Sequence, residues 1–204
     1  METSERILSK AHDLFMRYGI RSVSMDEIAA HLGISKKTIY QFYADKDALI
    51  EDVIVKNIKV NEQQSTIACE ASENAIHEIF LAVEHVQEML NIMNPLIVYD
   101  VKKYHPNADR VIVQHKSKFI YNLIKVNLEK GIKEELYRSD IDIEIITRLR
   151  LNSVFLIFDS EAFPHGKYSL SHLIEEISDH FLFGIATPKG VKLIQKYIQQ
   201  RQKK

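Results

Sequence analysis

Residues 24–49 read SMDEIAAHLGISKKTIYQFYADKDAL, and this stretch decides the fold. Ser24 with Glu27 three residues on is a capping box, in which each side chain satisfies the other's backbone amide. The helix it opens is short: Ile28, Ala29 and Leu32 face inward and Gly33 stops it. Ser35 caps a second short helix running to about Phe42. Only Gly33-Ile34-Ser35 separates the two, which is the tight turn of a helix-turn-helix. Ile34 and Ile39 supply the side that docks the second helix on its neighbours. Asp45 caps a further helix that begins at Lys46 and continues through Leu49, Val53 and Ile54.

Upstream, Ile7, Leu8, Ala11, Leu14, Phe15 and Tyr18 form the apolar stripe of an amphipathic helix, with Gly19 at a left-handed C-cap. Nothing in residues 1–59 alternates at period two, so strands are not expected there. Downstream, a stripe from Ala68 through Ala75, Val83 and Leu90 to Met93 ends at Asn94-Pro95. Pro95 starts a short helix to about Tyr104, and Pro106 a long one ending near Gly131. Residues 142–163 and 172–186 are apolar on more than one side, and such helices must be buried in the chain or against a partner. The tail from Lys189 to Lys204 has six basic residues and no acid, and reads as a frayed helix end or, in the alternative, as added attraction for phosphates. Only six glycines and four prolines break the chain. The expected fold is all-α: a three-helix head with a helix-turn-helix over residues 1–48, then a helical bundle over 49–204.

Composition limits the function. Across 204 residues, 27 Lys and Arg stand against 28 Asp and Glu, a formal net charge of −1. That excludes a polybasic protein that holds nucleic acid by bulk charge, though not one whose basic groups are local. Cys69 is the single cysteine, so no intramolecular disulfide and no thiolate zinc site can form. The first ten residues, METSERILSK, are too charged for a signal peptide. No stretch approaches the roughly 18 uninterrupted apolar residues of a membrane span, so the expected location is the cytoplasm, with no membrane partner.

Between Ser35 and Gln41, polar and basic residues crowd one exposed face. Lysines there meet phosphates, while Thr, Tyr and Gln reach base edges or sugar–phosphate oxygens. From Lys36 to Lys46 the count is three Lys against one Asp, so this segment is locally positive.

These residues resemble the DNA-binding head of the tetracycline-repressor (TetR) family. The resemblance covers Arg6 to about Leu49. It rests on Ile7-Leu8 with Ala11, Leu14-Phe15 and Gly19; on Ser24-Met25 with Ile28-Ala29 and Gly33-Ile34-Ser35; and on Thr38-Ile39-Tyr40 followed by Lys46 and Leu49. It implies DNA contacts at Ser24, Ser35, Lys36, Thr38, Tyr40 and Lys46, to which the residue chemistry adds Lys37 and Gln41. Two positions depart from the pattern. Lys37 stands where the family often has Gly, and Gln41-Phe42-Tyr43 where an aromatic-His-Phe run is common, so that Tyr43 takes the core place. The resemblance also implies a homodimer reading a palindromic operator on double-stranded DNA, and helices over 60–131 enclosing an unidentified small-molecule effector. It implies that the two apolar helices pair with their copies, which makes Leu149, Phe155, Phe158, Ile177, Phe181 and Ile185 candidate interface residues.

Candidate effector contacts are the aromatics Phe80, Tyr99, Tyr104, Phe119 and Tyr121. Between Val60 and Val101 there are seven acids and no Lys or Arg. Glu73, Glu78, Glu84 and Glu88 fall opposite the apolar stripe and read as a solvated face. His77 beside Glu73, and His85 beside Glu88, lack the further ligands a metal needs, so no metal or other cofactor is expected. No phosphate-cradling glycine loop or nucleophile elbow is present, and the chain is not expected to be an enzyme. The function expected is a site-specific transcriptional regulator, most simply a ligand-responsive repressor. The alternative is an effector-independent helix-turn-helix protein, such as a nucleoid or division factor.

Overall fold

A computed structural model describes residues 2–164 and 166–203. Among the described residues there are eleven α-helices and no strand, in keeping with the all-α expectation. Packing divides the chain into two compact units. The first comprises Met1–Asn61 with Ile92–His115, and the second Glu62–Asn91 with Lys116–Lys204. The 48/49 boundary read from the sequence lies inside the first of them.

The first unit opens with α1 (Thr3–Tyr18), α2 (Met25–Leu32) and α3 (Lys36–Tyr40), followed by α4 (Lys46–Ala71), whose early turns belong to it. The local signals act as read. Ser24 Oγ accepts from Glu27 N at 3.2 Å while Glu27 Oε2 accepts from Ser24 N at 2.6 Å, and Ser35 Oγ accepts from Thr38 N at 3.1 Å. Asp45 caps α4 by accepting from Ala48 N at 2.8 Å. Gly33 adopts φ 65°, ψ 32°, the left-handed conformation that ends α2. Gly19 also has positive φ but an extended ψ of 155°, so it does not form the left-handed cap expected of it. The core joins Ile7, Ala11 and Phe15 of α1 to Ile28 of α2, Ile39 of α3 and Leu49, Ile50 and Val53 of α4.

The same core takes in Ile97, Val101 and Ala108, from α6 (Leu96–Tyr104) and α7 (Pro106–His115). The docking is pinned by Asn94 N, which donates to Met16 O at 2.8 Å, and by His105 Nδ1, 2.9 Å from Asp47 Oδ1. Residues 60–131 therefore do not form one bundle. Their middle third packs with the head, because its apolar face matches α1 and α4.

The second unit contains α5 (Ala75–Ile92), α8 (Tyr121–Lys133), α9 (Ile143–Leu156), α10 (Leu170–Ile185) and α11 (Pro188–Arg201). The apolar stripe read across residues 68–93 spans a break at 72–74, where Asn74 Oδ1 caps His77 N at 2.9 Å and Ser72 Oγ donates to Cys69 O at 2.7 Å. A π-helical segment, Lys116–Ile120, precedes α8 in the helix expected to be continuous. The helix expected to reach Phe163 ends at Leu156, where Asp159 Oδ1 draws Glu161 N at 2.9 Å and Ala162 N into a turn. The basic tail is not a loose helix end. Thr187 caps α11, Pro188 occupies its first turn, and Ile194 and Tyr197 are buried while Lys192 and Lys196 face out.

Glu78 corrects the reading of a solvated acidic face. Only 8% exposed, it accepts from Lys130 Nζ at 2.9 Å, and the same ammonium donates to Ser72 Oγ. The buried charge is retained because its counter-ion arrives from α8. Beside it, Tyr137 donates to Asn127 Oδ1 at 3.1 Å and Ala75 O at 3.2 Å, its ring packed closely against Gly131.

Candidate nucleic-acid interface

The candidate recognition element is built on α3, five residues presented by the capped turn after α2. Ile39, wholly buried, and Tyr43, 7% exposed, fasten it to the core. Tyr43 thus occupies the core place read for it. Anchoring on one side leaves Ser35, Lys36, Lys37, Tyr40 and Gln41 on the other, all exposed, with Tyr40 at 44%. Thr38 is half-buried, its hydroxyl 2.8 Å from Ser35 Oγ. A row of hydroxyl, ammonium, phenol and amide groups on a rigid short helix can pair with phosphates and with base edges.

Three candidate residues carry prior commitments. Ser24 spends its hydroxyl in the capping box, donating to Glu27 Oε2 at 2.9 Å. That contact and the bond from the Ser24 amide hold the Glu27 carboxyl below its ordinary pKa. Lys36 Nζ lies 2.7 Å from Asp26 Oδ2, and this hydrogen bond raises the lysine's pKa. Lys46 turns inward: its ammonium donates to Ile20 O at 2.6 Å and sits 5.8 Å from the Phe15 ring centroid. Burial lowers its pKa. Lys46 thereby ties the start of α4 to the α1–α2 connection. Lys37 and Gln41 are exposed with no such tie among the described residues.

Sequence reading missed Asp26 as the partner of Lys36, since the contact spans ten residues and two helices. It also left Phe42 aside, yet Phe42, next to Gln41 in sequence, is 48% exposed.

The other candidates scatter. Tyr99 and Tyr104 belong to the first unit and are exposed. Lys103 Nζ donates to Tyr99 Oη at 2.6 Å, and Arg21 stacks over Tyr104. In the second unit, Phe119 is half-buried and the Tyr121 hydroxyl donates to the Glu144 carboxylate. Phe80 lines a cavity of about 90 Å³ with His77, Glu84, Tyr197 and Arg201. The His77 ring stacks on Tyr197 at 5.0 Å, and Arg201 lies over Phe80. No group of three His, Cys, Asp or Glu suited to a metal occurs among the described residues.

Of the six interface candidates, Leu149 is 59% exposed. Phe155, Phe158 and Ile177 are half-buried, with Lys116 Nζ 4.5 Å from the Phe155 ring centroid. Phe181 and Ile185 are enclosed in the core of their own unit, because α10 turns that side to α5 and α11. The exposed apolar row on α9 is Ile145 (62%), Leu149 and Leu156 (40%).

The sequence model of the family described as bacterial regulatory proteins, tetR family, matches residues 7–53. The HTH-type transcriptional regulator YvaF of Bacillus subtilis, itself uncharacterised, is 25% identical over 186 residues, spanning 89% of this chain and 94% of the relative. A TetR-family regulator of Agrobacterium tumefaciens shares the fold with a TM-score of 0.72 at 15% identity, over 90% of this chain and 97% of that one. A Saccharomonospora viridis protein solved in complex with choline shares it with a TM-score of 0.70 at 17% identity, over 90% and 97%. No helix of the described residues is long and apolar enough to cross a membrane. The capped helix pair, the family match upon it and the fold shared along the chain give one result: residues 7–53 form a head of the type described by the tetR family of bacterial regulatory proteins, and the chain is a DNA-binding transcriptional regulator.

Proposed function

We propose that the chain is a repressor that binds a palindromic operator as a homodimer and releases it when a small molecule occupies its helical body. In this reading residues 1–48 form the DNA-binding head and 49–204 the effector and dimerisation part. The observation that carries it is the row Ser35, Lys36, Lys37, Tyr40 and Gln41, exposed on a helix whose opposite side is fixed by Ile39 and Tyr43.

The row Ile145, Leu149 and Leu156 supports dimerisation. Exposed apolar residues four, seven and eleven apart fall on one helix face, and a second copy removes that face from water. Two-fold symmetry then presents two recognition helices, which reach successive major grooves when their centres stand roughly 34–36 Å apart. The effector need only prefer the dissociated state by about 1–3 kcal/mol to switch the protein.

A second reading is a helix-turn-helix protein without an effector: the Phe80–Tyr197 cavity, at about 90 Å³, is small beside ligand pockets of about 300–1,000 Å³. DNase I footprinting on the DNA upstream of the protein's own gene tests both. Protection of two symmetric half-sites, relieved by a cellular small-molecule extract, is the result expected. Protection that no extract relieves favours the second reading, and uniform weak coating of the DNA contradicts both.

A further inference from the structure

Arg150 is 6% exposed in the interior of the second unit, and no carboxylate lies within ion-pairing distance of it among the described residues. Its Nη2 donates to Ser178 Oγ at 2.8 Å and its guanidinium lies 4.8 Å from the Phe181 ring centroid. Its Nη1 is buried with no hydrogen-bond partner. One turn earlier on α9, Thr147 is wholly buried and its hydroxyl is likewise without a partner. Every other buried charge detailed above has its answer, as Glu78 has Lys130.

An unanswered guanidinium costs several kcal/mol in a protein interior. The groups around Arg150 relieve only part of that cost: Ser178 accepts one hydrogen bond and the Phe181 ring turns its negative face to the guanidinium, but neither supplies a counter-charge. The spare hydrogen-bonding capacity is rich in donors, though the Thr147 and Ser178 hydroxyl oxygens can also accept. Arg150 Nη1 and Thr147 offer protons, and the Ser178 hydroxyl, whose oxygen already accepts from Nη2, retains its own proton to give. A site made of donors and one fixed positive charge against an aromatic wall matches a monoanionic oxyanion with an apolar tail. Desolvation lowers the Arg150 pKa to about 10, which still leaves it charged at neutral pH.

We propose that the second unit binds a small monocarboxylate, its carboxyl held by Arg150 Nη1 with Thr147 and Ser178, and that this anion is the effector of the regulator. The inference rests on the ligand-responsive reading given above, and names the class of ligand. The Phe80–Tyr197 cavity is a poorer place for a cationic effector. Arg201 already covers the Phe80 ring and Lys196 lies 5.7 Å from the Tyr197 centroid.

The test uses the full chain with sodium benzoate and sodium hexanoate as probes, and sodium chloride and choline chloride at matched ionic strength as controls. Either carboxylate is expected to raise the unfolding midpoint saturably, by about 3 °C or more, with neither control doing so. Arg150→Met, close in volume, is expected to weaken that binding at least tenfold. Thr147→Val keeps the shape and removes only the hydroxyl; it is expected to fold at least as stably as the parent and to weaken the probes several-fold, so the test survives if Arg150→Met does not fold. Failure of both carboxylates to bind, equal stabilisation by chloride, or undiminished binding to Thr147→Val and Arg150→Met overturns the assignment. Operator affinity, measured alongside, separates the two claims. Carboxylate binding that leaves DNA affinity unchanged supports the anion site and defeats the effector role, whereas operator binding without carboxylate binding defeats the anion site and leaves the DNA-binding regulator standing.

Discussion

The Lys36 ammonium lies 2.7 Å from the Asp26 carboxylate, joining the first turn of α3 to the first turn of α2. Lys36 is thereby held at the exposed edge of the recognition helix, and a phosphate must compete with Asp26 for it. Asp26→Asn removes the competitor and a negative charge from the surface proposed to face DNA. We expect operator affinity to rise roughly three- to tenfold at low salt, with a smaller gain at high salt. Fluorescence anisotropy at two salt concentrations measures this, and an unchanged or weakened affinity contradicts it.

Leu149 and Ile145 give the proposed dimer a specific weakness. Both are more than half exposed on α9, so a glutamate at either leaves the protomer core untouched. Leu149→Glu is expected to convert the dimer to a monomer in sedimentation equilibrium, with an unfolding midpoint no longer dependent on protein concentration. Operator affinity should fall at least a hundredfold, since each head then binds alone. A Leu149→Glu protein that remains dimeric refutes the α9 interface.

Gly131 bears the close packing of the second unit. A Cβ there would stand 2.0 Å from Tyr137 Cδ2, and the ring cannot retreat because its hydroxyl is bound to Asn127 and Ala75. Gly131→Ala should therefore cost about 1–3 kcal/mol despite alanine's better helix propensity. Urea denaturation is the measurement, and a change under about 0.5 kcal/mol would show that the ring has room to move.

Cys69 should be a sluggish thiol. Burial first, and the charge of Glu78 second, push its pKa up to about 11. At pH 8 the folded protein then carries roughly a hundredfold less thiolate than an ordinary cysteine, and iodoacetamide should alkylate it correspondingly slowly. The rate should climb as pH rises toward 11. The same upward shift means that the thiol's contribution to stability is complete below the unfolded value near 9.0 and is lost as pH rises through about 11. Alkylation as fast as in urea-unfolded protein would show Cys69 to be freely solvated.

What could be read in advance followed the range of the forces involved. Ser24, Ser35 and Asp45 act on amides three residues away, so the caps and the turn at Gly33 were legible in the chain itself. The anchoring of α3 by Ile39 and Tyr43 was legible too, as was the burial of Leu173, Ile174, Phe181, Leu182 and Ile185, although Phe183 in the same apolar run is 42% exposed. Illegible were contacts made across the fold. Glu78 looked like one acid in a polar row until α8 brought Lys130 to it, and Lys46 looked free until its ammonium met Ile20 O. The placement of α6 and α7 with the head depended on which of several similar apolar faces matched, which no periodicity reveals.

The central claim is that α3 reads DNA through its exposed row, and the double variant Lys36→Ala with Tyr40→Ala tests it most directly. Both side chains are exposed, so the variant should unfold at the same temperature as the parent. Affinity for the footprinted operator, measured by anisotropy across a salt series, should fall at least a hundredfold, and the slope of log K against log salt should flatten by about 0.9 for the one lost phosphate contact. A stable double variant that binds the operator as tightly as the parent, with the same slope, would contradict the account.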